Sequence, residues 1–153
     1  MQVFLIRHAA AIDETLELRD PARHLTAEGR TQATSLGDRL RWHDCEPTHI
    51  WTSPLVRAVQ TAELVAAGLQ SKVAVEVTPA LAPDGAPRAV AAALAALPAT
   101  AIVVLVGHEP GLSAVGAVIA NDPEFPALTK AEAARIVDGK LRWLFAWDAE
   151  APT

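Results

Sequence analysis

Three stretches of the chain are apolar without alternation: "QVFLI" at 2–6, "HIWTS" at 49–53 and "AIVVLV" at 101–106. A fourth, "KVAVEV" at 72–77, alternates. Unbroken runs of Val, Ile and Leu suit strands covered on both faces, as in a parallel sheet with helices on either side. Between the runs the apolar spacing changes to the helical period. Thr26 caps a predicted helix running to about Trp42, with Ala33, Leu36, Gly37 and Leu40 on one face. Ser53 and Pro54 read as the N-cap and first position of a second helix, with Val59, Ala62, Ala66 and Leu69 inward and Gly68 near its end. A third helix is expected over 86–97 with Val90, Leu94 and Leu97 as its stripe, and a fourth, opened by Pro110, over 110–120.

After residue 130 two readings compete. Thr129 and Glu132 have the spacing of a capping box, which favours a helix. The stretch 133–147 instead reads as two strands about an Asp138-Gly139 type I′ turn, and this hairpin is the reading adopted, with at most a helical turn before it. The alternation of strands and helices, with no repeat or linker, predicts one domain over 1–153. Its fold class is a three-layer α/β sandwich: a mainly parallel central sheet flanked by helices, with the C-terminal hairpin adding antiparallel pairing.

Composition narrows the function. With 153 residues, 51% hydrophobic and 20% charged, the chain has the make-up of a globular domain with a real core. A formal net charge of -5 gives no global basic footprint for nucleic acid. The longest apolar stretch falls far short of the ~20 residues that span a bilayer, and Arg7-His8 interrupt the N-terminal run, so neither a membrane span nor a signal peptide is expected. A single cysteine, Cys45, excludes an intrachain disulfide, suits a reducing cytoplasm and reads as a buried filler. The four tryptophans lack basic interleaving and read as packing.

The unusual residues fall at strand ends. Arg7 and His8 follow the first run, Arg57 lies in the first turn after the second, and His108 follows the "AIVVLVG" run. Ligands of open α/β sheets bind at the carboxyl ends of the strands, where helix N-termini add partial positive charge. One strand-end arginine is ordinarily a surface charge, and one strand-end histidine ordinarily structural. Two of each converging on one edge suit a phosphoryl group, whose oxygens take guanidinium forks and whose phosphorus an imidazole can attack. The alanines after His8 leave room for a substrate. Placement alone does not choose between His8 and His108 as nucleophile. His43 reads as a helix C-terminal charge, His49 as a strand start, and His24 either precedes the Thr26 cap or lines the mouth of the site. His108-Glu109-Pro110 is not a zinc-binding HExxH, because proline interrupts the helix.

With these residues in place the chain resembles the histidine phosphatase superfamily, the phosphoglycerate-mutase-like proteins, and within it the SixA-type phosphohistidine phosphatases. The resemblance is carried by "LIRHAAA", "HLTAEGRTQA", "SPLVRAVQTAELV", "LAPDGAP" and "VGHEPGLS", in this order along nearly the whole chain. It implies that His8 takes the phosphoryl group, that Arg7, Arg57 and His108 surround its oxygens, and that water then hydrolyses phospho-His8. No metal or organic cofactor is implied. Ala9 replaces the commoner glycine, and Ala10 stands where many relatives carry glutamate. Many relatives also place a glutamate general acid after the third strand. Here the acid in that region is Asp84, either a substrate-site residue that serves as acid or part of an Asp-Gly loop turn.

A weak acid supply suits a leaving group that needs none. Imidazole, with a pKa of ~6.5, can leave already protonated, whereas an alkoxide must be given a proton. The short connection after 53 leaves no lid, so the site is expected to be open enough for a protein surface. The expected partner is a phosphohistidine-bearing protein of a phosphorelay, with phosphate or another small anion in the pocket. The expected protomer is a monomer, since no apolar stripe is left over. The alternatives are a phosphatase of small phosphoesters or anhydrides, and a non-catalytic phosphate-binding module. Asp13, Glu14 and Asp20 either solvate the loop after the signature or tune the pocket rim.

Overall fold

The computed structural model describes residues 1–153. Six strands form one sheet: β1 (Gln2–Arg7), β2 (His49–Thr52), β3 (Val75–Val77), β4 (Ile102–Gly107), β5 (Glu132–Val137) and β6 (Lys140–Ala146), in the order β3-β2-β4-β1-β5-β6. The first four run parallel; β5 is antiparallel to β1 and β6 to β5. Four helices pack on the sheet: α1 (Ala27–Arg41), α2 (Val56–Leu69), α3 (Pro87–Ala95) and α4 (Gly111–Ala120).

The unbroken apolar runs are explained by the two cores. Phe4, Ile6, Val104 and Val106 face α1 and α2, where they pack with Leu36, Leu40, Ala62 and Val65. Their alternates Val3, Leu5, Val103 and Leu105 face α3 and α4, with Val90, Leu94, Leu112 and Val115. A residue pointing to either face is therefore buried, which removes the polar half of the usual strand alternation.

Most predicted elements form, with physical reasons for the differences. Thr26 caps α1, its Oγ1 accepting the Gly29 N–H at 2.9 Å. α2 starts later than expected. Leu55 is its N-cap, not Ser53, and Pro54 lies before the helix. Ser53 instead continues the β2–β4 ladder, its N–H bonding the Val106 carbonyl at 2.9 Å. The inward stripe of α2 is Ala58, Ala62, Val65, Ala66 and Leu69, with Val59 half-buried beside it. The fourth run forms a strand only over Val75–Val77, where β2 offers a partner. α3 ends at Ala95, so Leu97 packs from beyond it, and Pro110 caps α4 instead of opening it.

The hairpin forms as read. Asp138 and Gly139 both have positive φ, 48° and 74°, as a two-residue type I′ turn requires. The capping-box contact also exists, Thr129 N–H donating to Glu132 Oε1 at 2.9 Å, but it closes a single turn. Ala131 at φ 55° ends that turn, and Glu132 opens β5. Cys45 is buried, which pushes its thiol up to about 12.

Candidate active site

In-register pairing puts Arg7 opposite Gly107, and Thr52 opposite Val106. The chain therefore leaves β1, β2 and β4 side by side at one edge of the sheet, delivering Arg7 and His8, then Ser53, then His108 to the same place. Arg57 arrives one turn into α2. His8, Arg57 and His108 are each buried, at 6%, 6% and 5% exposure. The His8 and His108 rings lie 5.2 Å apart between centroids.

The backbone under His8 is held from several sides. Its N–H bonds the Gly107 carbonyl at 3.0 Å, which extends the β1–β4 ladder by one residue. The Ala131 N–H bonds the carbonyls of both Arg7 and His8, at 3.1 and 3.3 Å. The next two amides go to side chains: Ala9 N–H to Thr61 Oγ1 and Ala10 N–H to Gln32 Oε1, each at 3.1 Å. Thr61 in turn donates to the Arg57 carbonyl at 2.8 Å, so one hydroxyl ties the loop after His8 to the turn carrying Arg57. The alanines serve close approach as well as access. The α1 N-terminus lies on Ala10, the Thr26 N–H bonding its carbonyl at 3.0 Å. A Cβ on Gly29 would come within 2.0 Å of that oxygen, so only glycine fits there.

The hydrogen bonds set the chemistry of the His8 ring. Nδ1 lies 2.8 Å from the Ala9 carbonyl, which can only accept, so Nδ1 carries the proton. Nε2 is left with its lone pair. Burial pushes the His8 pKa down to about 4; the hydrogen bond to Ala9 opposes this, and the charges of Arg57, Arg7 and Lys130 reinforce it. Burial likewise takes His108 down to about 3, with further lowering from His8 and Arg57. Both rings are neutral at pH 7.

Three buried nitrogens at this edge have no partner: Arg7 Nε, Arg57 Nε and His108 Nδ1. Unsatisfied buried polar atoms are uncommon and require an explanation. These three, from the ends of β1 and β4 and the first turn of α2, are what a bound tetrahedral oxyanion would satisfy. A fourth, Arg41 Nε, lies far along α1, where its guanidinium stacks over Trp42. The remaining Arg7 and Arg57 contacts aim the guanidiniums. Arg7 Nη1 donates to the Leu128 carbonyl at 3.1 Å. Arg57 Nη1 donates to the Asp20 carbonyl at 2.9 Å, and its Nη2 lies 3.4 Å from Asp20 Oδ2.

Three carboxylates lie near this edge in sequence or space. Asp20 also accepts from Arg23 at 2.8 Å. Burial alone would raise its pKa, but the Arg23 hydrogen bond and the Arg57 charge outweigh that and hold it below the usual carboxylate range. Both oxygens of Glu109 accept backbone N–H groups, from Ser113 at 2.8 Å and Leu128 at 3.3 Å. Asp84 is solvent-exposed. Its neighbours Pro83 and Gly85, not Asp84 itself, line the cavity of about 200 Å³ that lies against His108. The rest of that wall is mostly apolar, including Leu81, Ala82, Pro110, Leu112 and Val115.

The strand-end reading thus brings together Arg7, His8, Arg57 and His108 and leaves Asp84 at the surface. His24 bonds the Leu25 carbonyl through Nδ1 at 3.0 Å, and His43 packs edge-on against Phe145. The sequence reading missed Ser53, Thr61 and Gln32 as site-supporting residues. Gln32 and Thr61 are polar residues on otherwise apolar helix faces, and that is the signal that could have found them.

The profile of the histidine phosphatase superfamily, branch 1, matches residues 3–82. The chain belongs to the histidine phosphatase superfamily. Among curated histidine phosphatases, the phosphohistidine phosphatase SixA of Escherichia coli is 35% identical over 113 residues, covering 72% of this chain and 68% of that protein. An uncharacterized protein of Picosynechococcus is 38% identical over 114 residues, covering 73% and 68%. Among solved structures, the protein histidine phosphatase SixA complexed with tungstate superposes with a TM-score of 0.88 at 28% identity, covering 96% of this chain and 97% of that one. A putative SixA from Agrobacterium tumefaciens shares the fold, with a TM-score of 0.84 at 20% identity, covering 95% and 97%. Family membership and the SixA relative support phosphatase activity, on a mostly parallel six-stranded sheet with an antiparallel C-terminal pair.

Proposed function

We propose that the chain hydrolyses phosphohistidine on a protein, through a phosphoryl intermediate on His8 Nε2. The observation that carries the nucleophile is the His8 ring itself: neutral at pH 7, with Nδ1 committed to the Ala9 carbonyl and Nε2 bare. In the first step the Nε2 lone pair attacks phosphorus and the bond from phosphorus to the substrate's ring nitrogen breaks, its electrons leaving with the imidazole. Phosphorylation makes the His8 ring cationic, and the Ala9 carbonyl dipole, already in contact with Nδ1–H, stabilises that charge. Arg7, Arg57 and His108 hold the phosphoryl oxygens while charge shifts onto them. Water then attacks phosphorus, the P–Nε2 bond breaks with its electrons returning to Nε2, and both water hydrogens leave on the phosphate.

The substrate class follows from the carboxylates. Asp20 is held ionised by two arginines, Glu109 is spent on backbone N–H groups, and Asp84 lies outside the cavity wall. None is set to hand a proton to an alkoxide. An imidazole, with a pKa of ~6.5, can carry its own proton away. The SixA relative, a phosphohistidine phosphatase by name, supports the same choice.

The test compares phosphate release from a phosphohistidine protein, a phosphoserine peptide and an aryl phosphate, with wild type, His8→Ala and Asp84→Asn. Strong preference for phosphohistidine, no turnover by His8→Ala and unchanged turnover by Asp84→Asn are expected. Phosphoserine hydrolysis that Asp84→Asn removes would overturn the leaving-group reading and make Asp84 the acid.

A further inference from the structure

His108 enters the site with one ring nitrogen accounted for and one not. Nε2 lies 2.7 Å from Ser53 Oγ, while Nδ1 is buried without a partner. Which nitrogen carries the single proton of the neutral ring is decided by counting hydrogens at Ser53.

Ser53 is fully buried at the end of β2. Its place is fixed by the sheet, through its N–H to the Val106 carbonyl, and by the Thr52 hydroxyl, which donates to its carbonyl at 3.1 Å. A serine hydroxyl offers one hydrogen and two lone pairs. One lone pair accepts the Leu55 N–H at 3.2 Å, and the remaining contact of Oγ is His108 Nε2. If Nε2 carried the proton and donated it, the serine hydrogen would be buried with no acceptor. The bare Nδ1 lone pair would be buried without a donor as well. If the hydroxyl donates instead, the serine is satisfied, and the one orphan is an Nδ1–H donor. Every buried polar group left unpaired is destabilising, so the second arrangement, with one orphan instead of two, is favoured.

We infer that Ser53 is a positioning residue: its hydroxyl donates to Nε2 and fixes His108 as the Nδ1–H tautomer, so the ring meets an anionic oxygen with a donor instead of a lone pair. Ser53 acts on the oxyanion through His108. The functional consequence rests on the phosphatase reading, but the tautomer does not. Fixing it beforehand matters because a neutral imidazole with its lone pair toward phosphate would repel the group that the arginines attract.

The experiment records the ring-nitrogen NMR spectrum of His108 in the 15N-labelled full chain. It is paired with inorganic phosphate titration and aryl phosphate turnover, for wild type, Ser53→Ala and Ser53→Thr. Wild type is expected to show a protonated Nδ1 and a bare Nε2 at pH 7. Ser53→Ala is expected to populate the Nε2–H form and weaken phosphate binding by about tenfold, the scale of one hydrogen bond to a charged group. Ser53→Thr, which keeps the hydroxyl, is expected to restore both. A wild-type ring protonated at Nε2 overturns the inference, as does a Ser53→Ala ring that stays Nδ1–H with undiminished phosphate affinity. The wild-type spectrum decides the tautomer even where Ser53→Ala does not fold. A wild type with the expected tautomer that binds phosphate but releases none from any substrate supports the inference and removes the phosphatase reading.

Discussion

The ends of β1 and β4 are neighbours in the sheet, and each delivers a buried neutral histidine, yet the two are wired in opposite senses. At the end of β1, His8 gives its Nδ1 hydrogen to a carbonyl one residue on and keeps a bare Nε2. At the end of β4, His108 turns Nε2 to a serine hydroxyl on β2's side and keeps Nδ1. Ring type, burial and depressed pKa are shared, so none of them separates nucleophile from donor. The hydrogen-bond partner does. A carbonyl can only accept and a hydroxyl can also donate, and this difference turns one imidazole into a lone pair and the other into a donor.

The largest way to break that contrast is to remove the nucleophile. His8→Ala should lose more than about 10⁴-fold in kcat for any accepted substrate. His108→Ala should lose about 10²–10³-fold, the usual loss for one preorganised donor to a developing oxyanion. Equal losses at the two positions would erase the division of roles. Next in size is stability. Removing the Thr61 hydroxyl by Thr61→Val leaves the buried Ala9 N–H without an acceptor, costing about 1–3 kcal/mol. Several degrees of Tm should go with it.

The shared feature of the two rings has its own signature. Both pKa values are depressed in the folded chain, to about 4 and about 3, from about 6.5 unfolded. The unfolded chain therefore binds more protons than the native one between these values. Stability should be fully present above pH 6.5 and fall as the pH drops through 4 toward 3. Tm measured across this range should fall more gently in a His8→Asn, His108→Asn double variant. The smallest effect concerns the rim. Asp20 faces Arg57 with a partly exposed carboxylate, so Asp20→Asn should tighten inorganic phosphate by no more than about fivefold, the range of exposed ion pairs. Weaker binding in that variant would make Asp20 a support for Arg57, not a competitor for it.

The fold was legible because the apolar runs, the Thr26 cap and the Asp138-Gly139 turn are local signals, each stating its own geometry. The convergence of Arg7, His8, Arg57 and His108 on one edge was legible for the same reason: polar residues placed straight after an apolar strand, or in the first turn of the helix that follows it, are conspicuous. What holds them was not. Ser53 reads as a helix cap, and its partner, 55 residues away, is set by strand order. Asp20 reaches Arg57 from a loop 37 residues earlier, a juxtaposition that no periodicity encodes. Asp84 was singled out for its type in that segment, and the sequence could not show that it stands exposed, with its neighbours Pro83 and Gly85 lining the cavity.

The proposed reaction stands or falls on phosphorus being carried by His8 Nε2. The direct measurement is to quench a turning-over reaction with phosphohistidine protein at alkaline pH, then locate the phosphoryl group by mass spectrometry and its ring position by 31P NMR. An acid-labile phosphoryl group on Nε2 of His8 is expected, accumulating within one turnover and discharged by water. A phosphoryl group on His108 or on Nδ1 of His8, or turnover with no phosphorylated enzyme at any time, would contradict it.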